Sequence, residues 1–325
     1  AWYNGHPDFA DRTFDLSQEN IAIVGVGNVA MDVARILCKT HDELAVTDIA
    51  DHALEVLKNS KVRNVYILGR RGPAQAAFTP PEIKELGEFD DADVTVPHSE
   101  AKVDEASRTL IQDNKNALKN VEYIGEYANR PFGTKSRLLT IRFLVSPIEV
   151  LGEGGKVEGL KVVKNKLVQN EDGSVRPVAS DETETIPAGL IFRSVGYKGK
   201  PLPGIPYHED SGTIMNEAGR VIESDGSPVA GLYTAGWIKR GPSGVIGTNK
   251  TCAQETVAFM VEDLEAGRIN QPEDPTIAGA EELTKNCGKQ VISYPEWKKI
   301  DDAELAKGES EGRPRVKFTD LAEMV

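Results

Sequence analysis

Asn20-Ile21-Ala22-Ile23-Val24-Gly25-Val26-Gly27-Asn28-Val29-Ala30 decides the fold of this 325-residue chain. The apolar run 20–24 is short and unbroken, as in a strand buried on both faces of a parallel sheet. Two glycines follow. Gly25 allows a tight turn, Gly27 lets the backbone come close to a phosphate, and Ala30 permits close helix–strand packing. From Asn28 to Lys39 the period changes, and Val29, Val33, Ile36 and Leu37 fall on one helical face. A GxGxxA turn between strand and helix puts free amides at a positive helix end, where a pyrophosphate is stabilised. In this setting the pattern points to dinucleotide binding; the same glycines alone would equally suit a plain turn.

Working outward, residues 48–60 carry Ile49, Ala53, Val56 and Leu57 at helical spacing, with Asp48 near the start. Asn64-Val65-Tyr66-Ile67-Leu68-Gly69 is a second strand. This β–α–(α)–β order opens a doubly wound α/β sheet, a Rossmann-like domain. NAD sites usually place an acidic residue at the end of that strand. Here it ends in Gly69-Arg70-Arg71-Gly72, and two guanidiniums suit the 2′-phosphate of NADP instead. NADP is therefore expected over NAD, the alternative being a solvated surface pair. The separation from Gly25 is over twice the usual ~20 residues, which an inserted helix at 48–60 explains.

Elsewhere the pattern is coarser. Residues 1–17 are polar and read as a linker-like entry. Leu139–Val145 and Gly159–Val163 alternate as strands, 170–186 reads as a hairpin excursion, and Gly189–Gly196 as another buried strand. From about residue 200 a second unit begins, with a strand at Gly231–Gly236 and a helix from about Ser243 to Glu265. On that helix Cys252, Thr256, Met260 and Leu264 sit four apart. Pro242-Ser243-Gly244 ahead of it predicts a Ser cap and free amides, which would favour a negatively charged group. The tail 295–325 is charged, with short helical stretches.

Composition excludes some classes. Hydrophobic residues make up 39% and charged residues 27%, and no apolar run is long enough for a membrane span. The net charge of −13 opposes nucleic-acid binding, which needs Lys and Arg against phosphates. Cys38, Cys252 and Cys287 form no CxxC pair or zinc spacing. Unpaired cysteines favour the cytoplasm, and without CxxC a relay through a redox disulfide is not expected. His6, His41, His52, His98 and His208 form no paired arrangement. Arg130, Lys135, Arg137 and Arg142 form the densest basic stretch, readable as a docking patch for an acidic partner or as solvent-facing strand residues.

Three motifs carry a resemblance: Gly27–Arg35, Leu68–Pro73 and Gly236–Lys250 (Gly-Trp-Ile-Lys-Arg-Gly-Pro-Ser-Gly-Val-Ile-Gly-Thr-Asn-Lys). Together with Gly-Arg-Pro-Arg-Val-Lys-Phe-Thr-Asp-Leu near the end, the chain resembles the adrenodoxin reductase family, in particular its bacterial NADPH:ferredoxin reductases. The resemblance implies a flavoprotein that takes a hydride from NADPH onto FAD and hands single electrons to a ferredoxin-type iron–sulfur protein. It implies that Gly27, Asn28 and Val29 cover the pyrophosphate and that Arg70 and Arg71 hold the 2′-phosphate. Glu82 would lie on the ribose or nicotinamide side, and Glu85 would be the acidic catalytic residue facing the flavin. Trp237 and Gly244 would meet the nicotinamide and isoalloxazine, with Val245 and Ile246 opening the helix whose amides face the flavin. The family's own opening FAD fingerprint has no counterpart here, as Ala1-Trp2-Tyr3-Asn4-Gly5 resembles the family just past its first crossover. The expectation is therefore a chain cut from something longer, with 1–200 the NADP-binding domain and 201–325 the C-terminal part of a split FAD-binding domain. Two alternatives stay open: an isolated NADP-binding fragment without flavin or activity, and an oxidoreductase like the glutamate-synthase small subunit, which shares the Arg-Arg strand end.

Overall fold

In the computed structural model, which describes residues 1–244, 246–288 and 291–324, the glycine stretch folds as its period implies. A short helix α1 (Pro7–Ala10) precedes β1 (Asn20–Val24), and α2 (Asn28–Cys38) follows the turn. Then come α3 (His41–Ala45), α4 (Asp51–Lys58), β2 (Asn64–Leu68), α5 (Pro80–Leu86), β3 (Ala92–Thr95), α6 (Glu105–Ile111), α7 (Lys115–Asn129) and β4 (Arg137–Arg142). Three long strands, β5 (Val145–Glu153), β6 (Lys156–Gln169) and β7 (Val175–Pro187), lead to β8 (Leu190–Arg193). A parallel sheet runs in the order β3-β4-β2-β1-β8. β5, β6 and β7 form a separate antiparallel sheet.

Side chains alternate across β1. Ile21 and Ile23 face a core with Ala30, Met31 and Ala34 of α2. Ala22, with Leu68 of β2, faces Val145, Leu160, Val162 and Ile186. One face of the parallel sheet is thus covered by helices and the other by the antiparallel sheet, where a doubly wound protein ordinarily carries helices.

The remaining elements are β9 (Tyr207–His208), β10 (Thr213–Ile214), β11 (Asn216–Glu217), β12 (Arg220–Ile222), β13 (Pro228–Tyr233), α8 (Trp237–Arg240), α9 (Ile246–Glu265), α10 (Ile277–Asn286) and α11 (Tyr294–Glu311). The chain divides into two compact units: Gly196–Ser293, and Ala1–Val195 together with the stretch from Tyr294 onward. The tail thus groups with the first unit, although the sequence division carried it with 201–325.

Several expectations of local structure are corrected. Residues 1–17 are not a linker: Leu16 is buried, Trp2 packs edge-on to Phe14 at 5.0 Å, and Phe14 lies 5.7 Å from Phe192. The helix expected at 48–60 begins at Asp51, and Asp48 instead pairs with Lys317 at 2.9 Å. The run Leu139–Val145 is two strands in two sheets, broken at Leu144, whose φ is 57°. The buried face of α2 is Ala30, Met31, Ala34, Leu37 and Cys38, so Val29 turns outward. On α9, Cys252 and Thr256 are buried but Met260 and Leu264 are exposed. At 3.6 residues per turn the buried line drifts to Asp263. The tail opens with an 18-residue helix and ends in a short 3-10 turn at Leu321–Glu323.

Candidate functional site

The glycine turn is built by close approach. Gly25 has φ 132°, and a Cβ there would overlap the carbonyl oxygen of Ser194 at the end of β8. Only glycine fits. Its N–H donates to Leu68 O at 2.9 Å, which ties the turn to the end of β2. At Gly27, by contrast, a Cβ would meet nothing within 4 Å. Gly27 is the N-cap of α2, with no side-chain capping bond and no acidic residue in the first turn. The positive end of an eleven-residue helix therefore faces open space. Asn28 Oδ1 is committed elsewhere, accepting from Thr79 N at 2.9 Å just before α5.

The arginine turn is pinned from behind. Three successive carbonyls are held: Gly69 O by Val145 N at 3.0 Å, Arg70 O by Asn165 Nδ2 at 2.8 Å, and Arg71 O by Leu144 N at 3.1 Å. A Cβ on Gly69 would lie 2.9 Å from Val26 Cγ1, so the two turns touch. The side chains of Arg70 and Arg71 are exposed and pair with no carboxylate among the described residues. Partial burial, and then the neighbouring Arg70, hold the Arg71 guanidinium below its usual value. Two like charges without counter-charge in an acidic protein are suited to a doubly charged anion.

Glu82 and Glu85 lie on α5 and share a partner on α2. Arg35 ion-pairs with Glu82, with Glu85 through Nε at 3.0 Å, and with Asp32 at 2.6 Å. Burial, only partly offset by Arg35, raises the Asp32 carboxyl above its usual value. Arg35 was not singled out from the sequence, although it lies within the Gly27–Arg35 motif. From the far side, Asn120 Nδ2 donates to Phe78 O at 2.8 Å and Tyr127 OH to Ile83 O at 2.7 Å. Thus α5 is clamped between α2 and α7.

In the second unit Trp237 opens α8, exposed and stacked on Tyr197 with ring centroids 6.4 Å apart. Gly244 has φ 80°, and a Cβ there would meet the Thr248 side chain at 2.8 Å. The helix starts at Ile246, three residues later than Ser243, whose hydroxyl accepts from Arg240 Nη1 at 2.9 Å. Val245 and the side chain of Ile246 lie outside the described residues.

Each of the four basic residues makes a bond within the fold, while Arg130 and Lys135 stay exposed. Arg130 donates to Gly87 O at 3.0 Å, Lys135 to Phe89 O, Arg137 to Cys38 O at 3.0 Å, and Arg142 pairs with Glu100 and Glu184. Among the described residues no His/Cys/Asp/Glu group could hold a metal, and no helix is long and apolar enough to cross a membrane.

No protein-family model matches the chain. NADPH-ferredoxin reductase FprA of Mycobacterium tuberculosis is 44% identical over 332 residues, which span all of this chain and 71% of that protein. The mitochondrial NADPH:adrenodoxin oxidoreductase of mouse is 36% identical over 344 residues, covering all of this chain and 66% of its own length. The solved structure of M. tuberculosis FprA in complex with NADPH superposes with a TM-score of 0.89 at 42% identity, covering 99% of this chain and 70% of that one.

Proposed function

The chain belongs to the adrenodoxin-reductase-type family of NADPH:ferredoxin reductases, and from that membership we propose that it draws electrons from NADPH and delivers them, through FAD, to a ferredoxin-type iron–sulfur protein. One observation carries the nucleotide half of this reading. Two guanidiniums that pair with no carboxylate among the described residues stand on a turn that touches the turn leading to a helix start with no side-chain cap.

The roles of the chain's residues follow from their placement. Gly27, with open space over its Cα, and the Asn28 and Val29 amides receive the pyrophosphate. Arg70 and Arg71 grip the 2′-phosphate. Gly25 brings the ends of β1 and β8 together beneath them. Asn28, through Thr79, sets the start of α5, the helix that carries Glu82 toward the ribose or nicotinamide side. Glu85 is the acidic group assigned to the flavin side. Its carboxylate is more than half exposed while paired to Arg35 Nε, so it keeps an edge for a proton.

Residues of the second unit fit a flat aromatic group. Trp237 is exposed beside Tyr197, and a Cβ on Gly236 would meet nothing within 4 Å. When bound there, FAD supplies the conversion of a two-electron hydride into single-electron transfers. Trp237, Gly244, Val245 and Ile246 border it in this reading, the α9 amides favouring negative charge. We assign residues 1–200 to NADP binding and 201–325 to the C-terminal part of the FAD-binding domain, and place the protein in the cytoplasm, where its free cysteines stay reduced.

The test is an absorption spectrum of the chain with FAD, before and after NADPH. A bound flavin band that NADPH bleaches is the expected result. NADPH binding without flavin uptake would confine this chain's role to the nucleotide.

A further inference from the structure

The arginine pair selects for a 2′-phosphate only if its two guanidiniums converge, and nothing in the pair itself makes them do so. They repel each other, each side chain has several free torsions, and no carboxylate among the described residues orients them. Order comes from the backbone they stand on. The carbonyl of Arg71 is held by the N–H of Leu144, a residue in the left-handed region that a leucine rarely enters. The same Leu144 offers its own carbonyl to the N–H of Asn165 at 2.7 Å. Asn165 then closes the set: its Nδ2 donates both to Arg70 O and to Ser146 Oγ, each at 2.8 Å. It lies on β6, buried, 95 positions from the arginine it holds. Of the three donors that hold the turn's carbonyls, only this one is a side chain, so it alone can be removed without changing the path of the main chain.

We propose that Asn165 is a positioning residue for recognition of the 2′-phosphate, by which the antiparallel sheet β5-β6-β7 holds the Arg70-Arg71 turn in register for one doubly charged group. The inference rests on the NADP-binding reading above and extends it from the residues that touch the phosphate to one that does not. Pre-ordering the turn removes part of the entropy lost when two long cations close on one anion. Without the amide, the Arg70 carbonyl is left unheld and the turn gains conformations in which the two guanidiniums diverge. A ligand without a 2′-phosphate asks nothing of that convergence.

The experiment measures binding of adenosine 2′,5′-bisphosphate and adenosine 5′-monophosphate to the full chain by calorimetry, for wild type, Asn165→Ala and Asn165→Leu. The leucine keeps the size without charge and has no proton to donate, so it stands in if the alanine variant fails to fold. The wild type should prefer the bisphosphate. The variants should lose about five- to tenfold in bisphosphate affinity, as expected for one hydrogen bond, with the monophosphate within about twofold. Equal weakening of both ligands would show a merely structural amide and overturn the proposal, as would bisphosphate affinity that stays unchanged. A wild type that binds both ligands alike would remove the NADP reading itself, and this inference with it.

Discussion

Two neighbouring strands carry arginine at or just beyond their ends, and the molecule treats these arginines in opposite ways. In β4, Arg142 stands in register with Leu68 of β2. Glu100 grips it from two oxygens at 2.7–2.9 Å, Glu184 adds a second carboxylate, and the group is largely buried. Two residues beyond Leu68, Arg70 and Arg71 pair with no carboxylate among the described residues. The acids enclosing Arg142 offset the cost of desolvating it, and that arginine is part of the fold. The pair in the turn after β2 costs the fold some repulsion. The carbonyls of Gly69, Arg70 and Arg71 are all held, and in the reading proposed above such a pinned, uncompensated pair serves an anion from outside.

The sharpest way to break this contrast is the double variant Arg70→Ala/Arg71→Ala. Two charge-assisted hydrogen-bond sets are lost, so NADP+ affinity should fall by about 3–5 kcal/mol, with NAD+ nearly unaffected and the melting temperature unchanged or slightly raised. Equal loss for both nucleotides would mean the pair is not a phosphate grip. Glu100→Ala should do the reverse. Breaking the enclosed pair should cost about 3 kcal/mol in denaturant unfolding, and the NADP+/NAD+ ratio should hold.

A third charge sharpens the comparison because amides, not ions, satisfy it. Asp93, buried in β3, accepts from the N–H groups of Gly133, Thr134 and Lys135 at 2.7–3.2 Å. Burial alone would raise its carboxyl, but these bonds outweigh it and hold the group below the usual range. A folded-state value below the unfolded one means stability present above about pH 4 and lost as pH falls through the lowered value. Asp93→Asn should flatten the acid limb of a stability–pH curve; an unchanged limb would assign acid unfolding to other carboxylates. The smallest effect belongs to Glu85→Gln. Its ion pair with Arg35 is half exposed, so stability should change by less than about 0.5 kcal/mol. Any larger fall in the rate of flavin bleaching by NADPH would then report chemistry rather than packing.

What was legible in the sequence was local. Ile21–Val24 followed by Gly25 and Gly27 reads correctly because strand, turn and helix start lie within eleven residues. The position of the two arginines is legible because they follow their strand directly. β3 was missed because it has four residues and one of them is the buried Asp93, whose partners lie some forty positions away. The break at Leu144 carries no glycine or proline to announce it. Asn165 sits in an ordinary alternating strand, and its significance is a carbonyl in a distant turn. Glu82 and Glu85 could not be told from a solvated helix face until Arg35 was found opposite them.

The tail has a consequence for how the protein is made. Arg313 reaches Asp51 and the carbonyl of Ile49 at the start of α4, and Lys317 reaches Asp48 and, across 313 positions, Asn4. These contacts must wait until residues 313 and 317 have left the ribosome. At about 5–20 residues per second, the first unit spends several seconds or more with α4 and the Trp2 segment uncovered while residues 196–293 are synthesised. The second unit, contiguous in sequence, has no such delay. A nascent chain stalled before residue 313 should therefore be cut by protease near residues 1–17 and 48–51, and one released past residue 317 should resist.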